Sequence, residues 1–354
     1  MTVVACSEKH DLRISTALTL AENEQEDSAL KLLQSVNRLT LPAKDEAMYA
    51  LVYTLAQDKS GLDVNSDSLI GIAYHWYKDK PTDSLYSKCQ YYMGRYYALN
   101  DSSEKALDCF QKSIIASKIK HDYSTQCLAL LQQSVILREY NPNHAIACAK
   151  RAVMLYNKVK GAKSSNKAYY LLNLAEAYYY NGSNLDSCLS IVNCAINYAI
   201  QSQDSTTISD AYQDLAAVYL ITEKPNLALK ASIKSSEYCK KTNFSKQFAL
   251  SQLYVLVDSL ASAKRILSQT KPLNLSDTCA YWALRRDIAI REKNVKQAEA
   301  YADSTDIYLD KKSCENLKAK NSYYSLLLQK EVARTKLASE SQLKSYIIGV
   351  QTLT

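Results

Sequence analysis

Apolar residues recur along most of the chain at the three- and four-residue spacing that places them on one face of an α-helix. Leu174, Ala175 and Tyr178 show this spacing within one segment. Short polar breaks that contain Asn, Gly or Pro separate such segments, as in the sequences NGSN at 181–184 and EKPN at 223–226. No stretch shows the sustained alternation of apolar and polar residues that is typical of a β-strand. The pattern therefore predicts an all-α protein made of successive helix pairs.

The predicted helix pairs repeat with a regular internal spacing. Counted from Gly94, the residues at offsets of 3, 12, 16 and 19 are Tyr97, Ala106, Phe110 and Ser113. Such regularity indicates a repeat array. The same four offsets from Ala17, Ala175 and Ala216 again hold mostly small or apolar residues, which are Leu20, Ala29, Leu33 and Val36, then Tyr178, Ser187, Ile191 and Cys194, then Tyr219, Ala228, Ser232 and Ser235.

Other units depart slightly from this spacing. The unit that opens at Ser134 reaches Ala145 one residue early, which predicts a shortened turn. The unit that opens at Ala50 has a longer loop, DKSGLDVNSD at 58–67. The segment 244–270 reads as a degenerate pair with a very short turn. In all, we expect about seven or eight helix pairs.

The repeated residues resemble the tetratricopeptide repeat (TPR), whose W-x2-L-G-x2-Y pattern is followed by a small residue that opens the second helix. The segments CQYYMGRYY at 89–97 and EKALDCFQKS at 104–113 match it closely, and Trp282 takes the tryptophan place of the last unit. The resemblance covers roughly residues 10–310 and implies an α-α superhelical solenoid of closely packed helix pairs. Gly94 and Ala106 would then face each other where two helices cross.

The chain departs from the TPR pattern in three respects. Arg286 occupies the small place of the last unit, and the proline that usually follows the second helix is mostly absent. Successive units from Gly94 to Ala216 are 40–41 residues apart, whereas a TPR has about 34 residues and HEAT or armadillo repeats have about 40–47. HEAT or armadillo repeats are therefore the alternative, although the recurring small-x-x-Tyr sequence favours TPR.

Composition narrows the fold and the partners. The 354 residues include only 6 Gly and 5 Pro, which disfavours a β-sandwich or barrel. The 28 Tyr, against 3 Phe and 2 Trp, suit half-buried surfaces because tyrosine combines a large ring with a polar tip. The net charge of +7 is modest and forms no basic stripe with interleaved aromatic residues, so we expect no nucleic-acid partner. The cysteines within the predicted helices are scattered and are expected to be buried free thiols.

No combination of residues indicates catalysis. The sequence contains no GxxxxGK[ST], GxGxxG, HExxH or GxSxG motif. Its four histidines, His10, His75, His121 and His144, lie in separate units without a Cys or carboxylate partner at metal-ligand spacing. We therefore expect no cofactor, no metal and no enzymatic activity, with an all-helical active site as the remaining alternative.

In TPR proteins, which this chain resembles, the first helices line a concave face where extended peptides or partner helices lie. A mixture of tyrosine, amide and both charges suits hydrogen bonds to a peptide backbone and differs from a strongly basic clamp for C-terminal carboxylates. An ordinary solvated face is the alternative interpretation. The groove residues implied by the resemblance are Tyr91, Arg95, Gln132, Arg138, Asn173, Glu176, Tyr179, Gln213, Asp214 and Asp287.

Both ends of the sequence differ from the repeats. The sequence VVACS at 3–7 resembles the lipobox of a bacterial lipoprotein with Cys6 as the lipidated residue, although the basic and apolar segments that should precede it are missing. From 314 to 350 one uninterrupted helical pattern ends in the apolar run YIIGV, as expected for a capping helix or a helix that continues into a membrane. Chance is the alternative for both features.

These features divide the chain into a tail at 1–9, a TPR-like array at 10–310 and a capping or juxtamembrane helix at 311–354. Lysines and arginines between 330 and 344 favour a cytoplasmic side by the positive-inside tendency, whereas lipidation of Cys6 would place the array outside the inner membrane.

Of these conflicting signals, the lipobox and the repeat resemblance favour a tethered, periplasmic protein- or peptide-binding module. It would be the sensor or scaffold part of a membrane-anchored regulatory protein, similar to a bacterial group in which TPR arrays precede a membrane helix and a cytoplasmic regulatory segment. A cytoplasmic TPR scaffold without a membrane link is the alternative.

We predict that Cys6 carries lipid when the protein is expressed with its native leader, because a lipobox cysteine is the acceptor of lipoprotein modification. Labelling cells with an alkyne fatty acid should mark the wild-type protein and leave Cys6→Ser unmarked. Label that persists unchanged in Cys6→Ser would show that the lipobox interpretation is wrong.

Overall fold

A computed structural model of the chain describes residues 10–62, 67–182, 184–239 and 244–309. Within these ranges the chain forms sixteen α-helices and one short 3-10 helix at Arg38–Thr40, without a β-strand. The α-helices are α1 (Leu12–Glu22), α2 (Glu26–Gln34), α3 (Ala43–Lys59), α4 (Asp67–Tyr77), α5 (Tyr86–Leu99), α6 (Ser103–Ile119), α7 (Tyr123–Tyr140), α8 (Pro142–Tyr156), α9 (Ser164–Asn181), α10 (Leu185–Ser202), α11 (Ser205–Ile221), α12 (Pro225–Tyr238), α13 (Phe244–Leu256), α14 (Leu260–Gln269), α15 (Leu275–Arg291) and α16 (Val295–Leu309).

The helices form eight consecutive pairs, from α1 with α2 to α15 with α16, and the all-α prediction is confirmed. The chain divides into two compact units, Met1–Ser202 with α1–α10 and Gln203–Thr354 with α11–α16. The predicted boundaries at 1–9, 10–310 and 311–354 stay a prediction. Cys6 and the predicted helix at 311–354 lie outside the described residues.

Most pairs share one turn structure, which begins at the tyrosine place of the repeat. The carbonyl of this residue accepts a hydrogen bond from the backbone N–H five residues later, and the residue before that donor has a positive φ of 54–61°. This arrangement ends the first helix and reverses the chain, so the offset between the two helices of a pair is constant. Examples are Tyr97 with Ser102 at 2.9 Å, Tyr219 with Lys224 at 2.8 Å and Tyr254 with Ser259 at 2.8 Å.

A second recurring contact joins the two helices of a pair at small residues. A buried hydroxyl or thiol on one helix donates to a backbone carbonyl of the other, so the two backbones must approach closely. These contacts account for the small residues at the last repeat offset. They are Ser113 Oγ to Ser87 O at 2.8 Å, Cys127 Sγ to Ala152 O at 3.4 Å and Ser209 Oγ to Ser235 O at 2.7 Å.

Two pairs show that this register depends on the length of the turn and on where the first helix ends. Between α7 and α8 only Asn141 intervenes, and its side chain accepts from His144 N at 3.1 Å, so Ala145 arrives one residue early as predicted. In the next pair the expected Ser187, Ile191 and Cys194 are not the buried residues.

The buried places of α10 belong instead to Cys188, Val192 and Ala195, one residue later in each case. Cys188 Sγ donates to Ala175 O at 3.2 Å across the helix crossing, while Cys194 is exposed. The reason is that α9 continues to Asn181, one residue further past its tyrosine place than α5 and α11 do. It ends there because Gly182, with a φ of 69°, reverses the chain. The expected register of this pair was therefore wrong by one residue.

Gly94 permits the closest approach between α5 and α6. A Cβ built at this position would lie 2.6 Å from Cε1 of Phe110, well inside contact distance. The expected partner of Gly94 was Ala106, which is fully buried, but the ring of Phe110 provides the atoms nearest to it. Glycine is therefore retained because an aromatic ring occupies the space of its missing side chain.

The cysteines of the described helices are mostly buried and form no disulfide within the described part of the chain, as expected. Burial raises the pKa of Cys109 to about 11 and that of Cys127 to about 12. These thiols therefore stay protonated at neutral pH and act as small apolar residues.

We predict that Gly94→Ala lowers the free energy of unfolding by about 1–3 kcal/mol, because the added methyl group overpacks against Phe110. In a Phe110→Leu background the same change should cost less, since the smaller side chain leaves room. Urea unfolding of the single and double variants measures this coupling.

Gly182→Ala is the matched control for this cycle. It should cost about 1–2 kcal/mol through its left-handed φ, with no heavy atom of a neighbouring side chain within 4 Å of the added carbon. Its cost should be the same with Phe110 or Leu at position 110. An equal cost of Gly94→Ala in both backgrounds would contradict the packing explanation.

Candidate functional site

The first helices of the pairs form one continuous surface in the Met1–Ser202 unit. Helices α1, α3, α5, α7 and α9 contact one another in succession, whereas the second helices make no comparable mutual contacts among the described residues. In a curved stack of helix pairs, the side on which successive helices approach most closely is the inner side. We call the surface formed by these first helices the inner face.

An ion pair joins α3 and α5 on the inner face. Arg95 Nη2 lies 3.0 Å from Asp58 Oδ1. Burial lowers the pKa of Arg95, but the Tyr91 hydroxyl and the Asp58 carboxylate outweigh this effect and hold its pKa above the usual value. The guanidinium is therefore fixed in position and always charged.

Tyr91 supports this arginine from a buried position. Its residue exposure is only 2%, and its ring contacts Tyr92 and Phe110 at centroid distances of 4.9 and 6.0 Å. Burial raises the pKa of Tyr91 to about 12, so the phenol is neutral and hydrogen-bonds to Arg95. The expectation that Tyr91 presents its ring on the surface is corrected by this packing, because the ring fills the space beside Phe110.

A more extensive polar cluster joins α7 and α9. Arg138 Nη1 lies 2.6 Å from Glu176 Oε2, and Arg138 Nη2 donates to Asn173 Oδ1 at 2.8 Å. The guanidinium carbon also lies 5.8 Å from the centroid of the Tyr180 ring. The arginine side chain is 10% exposed, and its Nε has no hydrogen-bond partner in the described part of the chain. Arg138 is thus the centre of the cluster.

Asn173 is also buried, with 6% exposure. Its Nδ2 donates to the carbonyl of Tyr169 at 2.9 Å, which orients the amide so that its oxygen faces Arg138. Glu176, in contrast, has a side chain that is 42% exposed. Of the two partners of Arg138, Glu176 is therefore the one that solvent or a ligand can reach.

Residues 169, 173, 176 and 180 follow the helical spacing of a single stripe on α9. Tyr169, which is 51% exposed, and the half-buried Tyr180 therefore flank the Asn173 and Glu176 pair. Burial raises the pKa of Tyr180, and the nearby Arg138 opposes that shift. The sequence analysis placed neither tyrosine in the site. The helical spacing that joins Asn173 to Glu176 continues to Tyr180 rather than to Tyr179, so it was a signal for Tyr180.

The predicted Tyr179 lies one position away from this stripe. It is half-buried. Burial is the largest cause of its raised pKa, and the neighbouring Tyr180 and the Cys188 thiol of α10 raise it further. Its ring contacts Tyr180 edge to face at 5.6 Å. Tyr179 therefore supports Tyr180 and faces the second helix of its own pair.

The turn between α1 and α2 reaches the N-terminal ends of later first helices. Lys88 Nζ lies 3.2 Å from carboxylate oxygens of both Glu22 and Asp122, and Glu24 forms an ion pair with Lys163. Burial lowers the pKa of Lys88, but the two carboxylates outweigh this effect and raise it. Ion pairs therefore connect the first and fifth pairs and bound the inner face at this end.

The other predicted residues are distributed differently. Gln132 is half-buried on α7, and the remaining three lie in the Gln203–Thr354 unit, on α11 and α15. Gln213 Oε1 is buried without a hydrogen-bond partner among the described residues, and Asp214 is half-buried. Asp287 Oδ1 lies 3.5 Å from Nη2 of its neighbour Arg286.

In the second unit, too, an ion pair connects two successive first helices. Lys246 Nζ on α13 lies 2.7 Å from Asp210 Oδ1 and donates to Ser209 Oγ at 2.6 Å, both on α11. Charged side chains thus connect successive first helices in both units.

Within the described ranges, no group of His, Cys, Asp or Glu side chains is arranged to hold a metal ion. Among the helices that the structure describes, none combines the length and the apolar character needed to cross a membrane.

Comparison with known proteins identifies the fold. No protein-family model matches the chain, and no curated protein matches it in sequence. A Rap protein complexed with Competence and Sporulation Factor is 12% identical, with a TM-score of 0.59 over 91% of this chain and 98% of that one. NprR in complex with its cognate peptide NprX is 14% identical, with a TM-score of 0.57 over 90% of this chain and 97% of that one.

A third similar structure is a signal transduction ATPase with a tetratricopeptide repeat sensor from Pyrococcus horikoshii. It is 15% identical, with a TM-score of 0.58 over 84% of this chain and 48% of the ATPase. These likenesses confirm the predicted fold class, an all-α solenoid of TPR-like helix pairs. The chain thus has the fold of a TPR protein.

We predict that Arg138 is coupled more strongly to Asn173 than to Glu176. The coupling energy from a double-mutant cycle of Arg138→Met and Asn173→Ala should be about 1–2 kcal/mol, because both groups are buried. The cycle of Arg138→Met and Glu176→Gln should give less than about 1 kcal/mol, since the exposed carboxylate is screened by solvent.

Urea unfolding at low and high salt measures both couplings. Salt should weaken only the coupling to Glu176, because screening acts on exposed charges. Equal couplings with equal salt dependence would contradict the central position assigned to Arg138.

Proposed function

We propose that the chain is a protein- or peptide-binding TPR module whose ligand lies on the inner face of the Met1–Ser202 unit. One observation carries this proposal: Arg138 is oriented by Asn173 and Glu176 and lies beside accessible tyrosines on the same stripe of α9. Tyrosine and arginine are the residue types that contribute most to protein interfaces. Because a hydrogen bond and an ion pair already hold Arg138 in place, little of its side-chain entropy is lost when a ligand binds.

The exposed pairing with Glu176 suggests how a ligand binds. A carbonyl or carboxylate group of the ligand takes the position of the Glu176 carboxylate at Arg138 Nη1, while Asn173 keeps the guanidinium in place. The desolvation of Arg138 has already occurred in folding, so the ligand gains a charge-assisted hydrogen bond without that cost. The rings of Tyr169 and Tyr180 supply the apolar contact area on either side.

The fold of the similar structures supports this proposal. NprR was solved in complex with its cognate peptide, and a Rap protein with Competence and Sporulation Factor. A shared fold is an analogy rather than a site, so the proposal depends on the residues of the inner face.

For the cellular setting we propose the sensor or scaffold part of a membrane-anchored regulatory protein on the periplasmic side. Cys6 or an apolar helix that begins near 346 would provide the anchor. The support comes from the sequence alone. A cytoplasmic scaffold is the second candidate, favoured by the cations that precede the apolar run.

The proposed function predicts that binding depends on the inner face. After a partner has been captured with the soluble chain, Tyr169→Ala, Tyr180→Ala and Arg95→Ala should each weaken binding by about 1–3 kcal/mol. Calorimetry measures the affinity, and urea unfolding verifies that each variant is folded.

Tyr91 and Asn173 are buried, so the smaller substitutions Tyr91→Phe and Asn173→Ser are used there instead of alanine. Tyr179→Phe tests the binding role that the sequence predicts for Tyr179. Lys112→Ala is the control, because Lys112 lies on the second helix α6 and its ion pair among the described residues is with Asp108 of the same helix, at 2.6 Å. If the inner-face variants bind normally while Lys112→Ala does not, the proposed face is wrong.

A further inference from the structure

A second candidate site lies in the Gln203–Thr354 unit and shares no residue with the proposed peptide site. Residues of α14, α15 and α16 line a partly open cavity of about 350 Å³. This is near the lower end of the volumes that bind small organic ligands in proteins. None of Gln213, Asp214 and Asp287 lines it.

The charges around the cavity favour an anion. Lys264, Arg265 and Arg285 line it together with one carboxylate, Glu292, so three positive charges face one negative charge. Lys264 Nζ lies 2.6 Å from Glu292 Oε1, and this pair neutralises itself. The two arginines remain, and among the described residues neither forms an ion pair.

Aromatic rings hold one of these arginines in place. The guanidinium carbon of Arg285 lies 5.1 Å from the ring centroid of Tyr281 and 5.6 Å from those of Trp282 and Tyr301. Trp282 and Tyr301 also contact each other at 5.7 Å, which ties α15 to α16 at this point. Rings interact with the faces of a guanidinium and leave the N–H groups at its edge for an acceptor.

The cavity also has an apolar wall, while Ser268 and Gln297 add two polar side chains to its lining. Leu267 and Ile288 are almost fully buried and line it together with Ala289. A ligand that fills this space therefore needs an anionic group beside the arginines and a short apolar body against this wall.

The cavity thus combines two arginines, aromatic rings that hold Arg285, and an apolar wall. We propose that it binds a small organic anion that carries a carboxylate or phosphate group. The ligand contacts Arg265 and Arg285 through its charged oxygens. None of its residues belongs to the inner face, so it would give the module a second input besides a peptide or protein.

Phenyl phosphate is a suitable probe, and Trp282 is a suitable reporter. The chain has 2 tryptophans, so a Trp76→Phe variant of the full chain restricts the fluorescence to Trp282. Phenyl phosphate should change this fluorescence saturably, and calorimetry should give the same affinity. Benzyl alcohol, of similar size but uncharged, should not bind, and inorganic phosphate should bind more weakly because it lacks the apolar body.

Substitutions locate the binding site. Arg265→Gln should weaken phenyl phosphate binding by about tenfold or more, since a charge-assisted hydrogen bond is lost. Arg265 is exposed, so this change does not threaten folding. Arg285→Lys should have a similar effect, with circular dichroism to verify its structure. The matched control is Lys296→Gln, which removes the same charge from an exposed position of α16 outside the cavity.

Two results would overturn the proposal. One is equal binding of phenyl phosphate and benzyl alcohol, and the other is equal affinity of Arg265→Gln and Lys296→Gln for phenyl phosphate. Peptide binding by the inner face is measured on the same variants and is expected to be unchanged, so failure of one site is distinguishable from failure of the other.

Discussion

The structure depends on the close approach of the two helices within each pair. At Gly94 the approach leaves no space for a Cβ atom beside the Phe110 ring. In other pairs it allows a side chain to reach the opposite backbone, as Ser134 Oγ does to Ala145 O at 2.9 Å. Small residues at these places make tight packing compatible with buried polar groups, because hydroxyls such as those of Ser113, Ser134 and Ser209 find a partner across the crossing. The cost of glycine or serine in a helix is offset by the packing that it permits.

This packing also determines what is left for binding. One side of each first helix packs against its own second helix. The residues on the adjoining side therefore contact the next first helix of the array. There they form ion pairs, such as Arg95 with Asp58 and Arg138 with Glu176. Residues that look like free ligand-binding groups in the sequence are therefore partners of one another. A face built in this way is rigid and already desolvated, which suits the binding of an extended polar chain.

The sequence could predict the repeats because their signals are local. In most units the residue at the tyrosine place accepts a hydrogen bond from the backbone N–H five residues later, and this bond ends the helix. The small residues follow at a distance that the turn defines. Where the turn changed length, the prediction held at Ser134 and Ala145, where Asn141 and Pro142 mark a short turn. It failed at Ser187, because α9 continues one residue further past its tyrosine place than α5 and α11 do before Gly182 ends it, and the local sequence does not mark that extension.

The sequence by itself determined the all-α repeat fold, the pairing of helices and the helices that carry the inner face. Only the tertiary structure decided which side chains of that face are accessible. Tyr91 is buried by Phe110 of the neighbouring helix, and Tyr180 rather than Tyr179 lies beside Arg138. Helical periodicity assigns a residue to a direction around its own axis, whereas burial depends on how neighbouring helices are placed around that axis. Those placements are set by contacts between residues far apart in the chain, such as Glu24 with Lys163, which no local pattern contains.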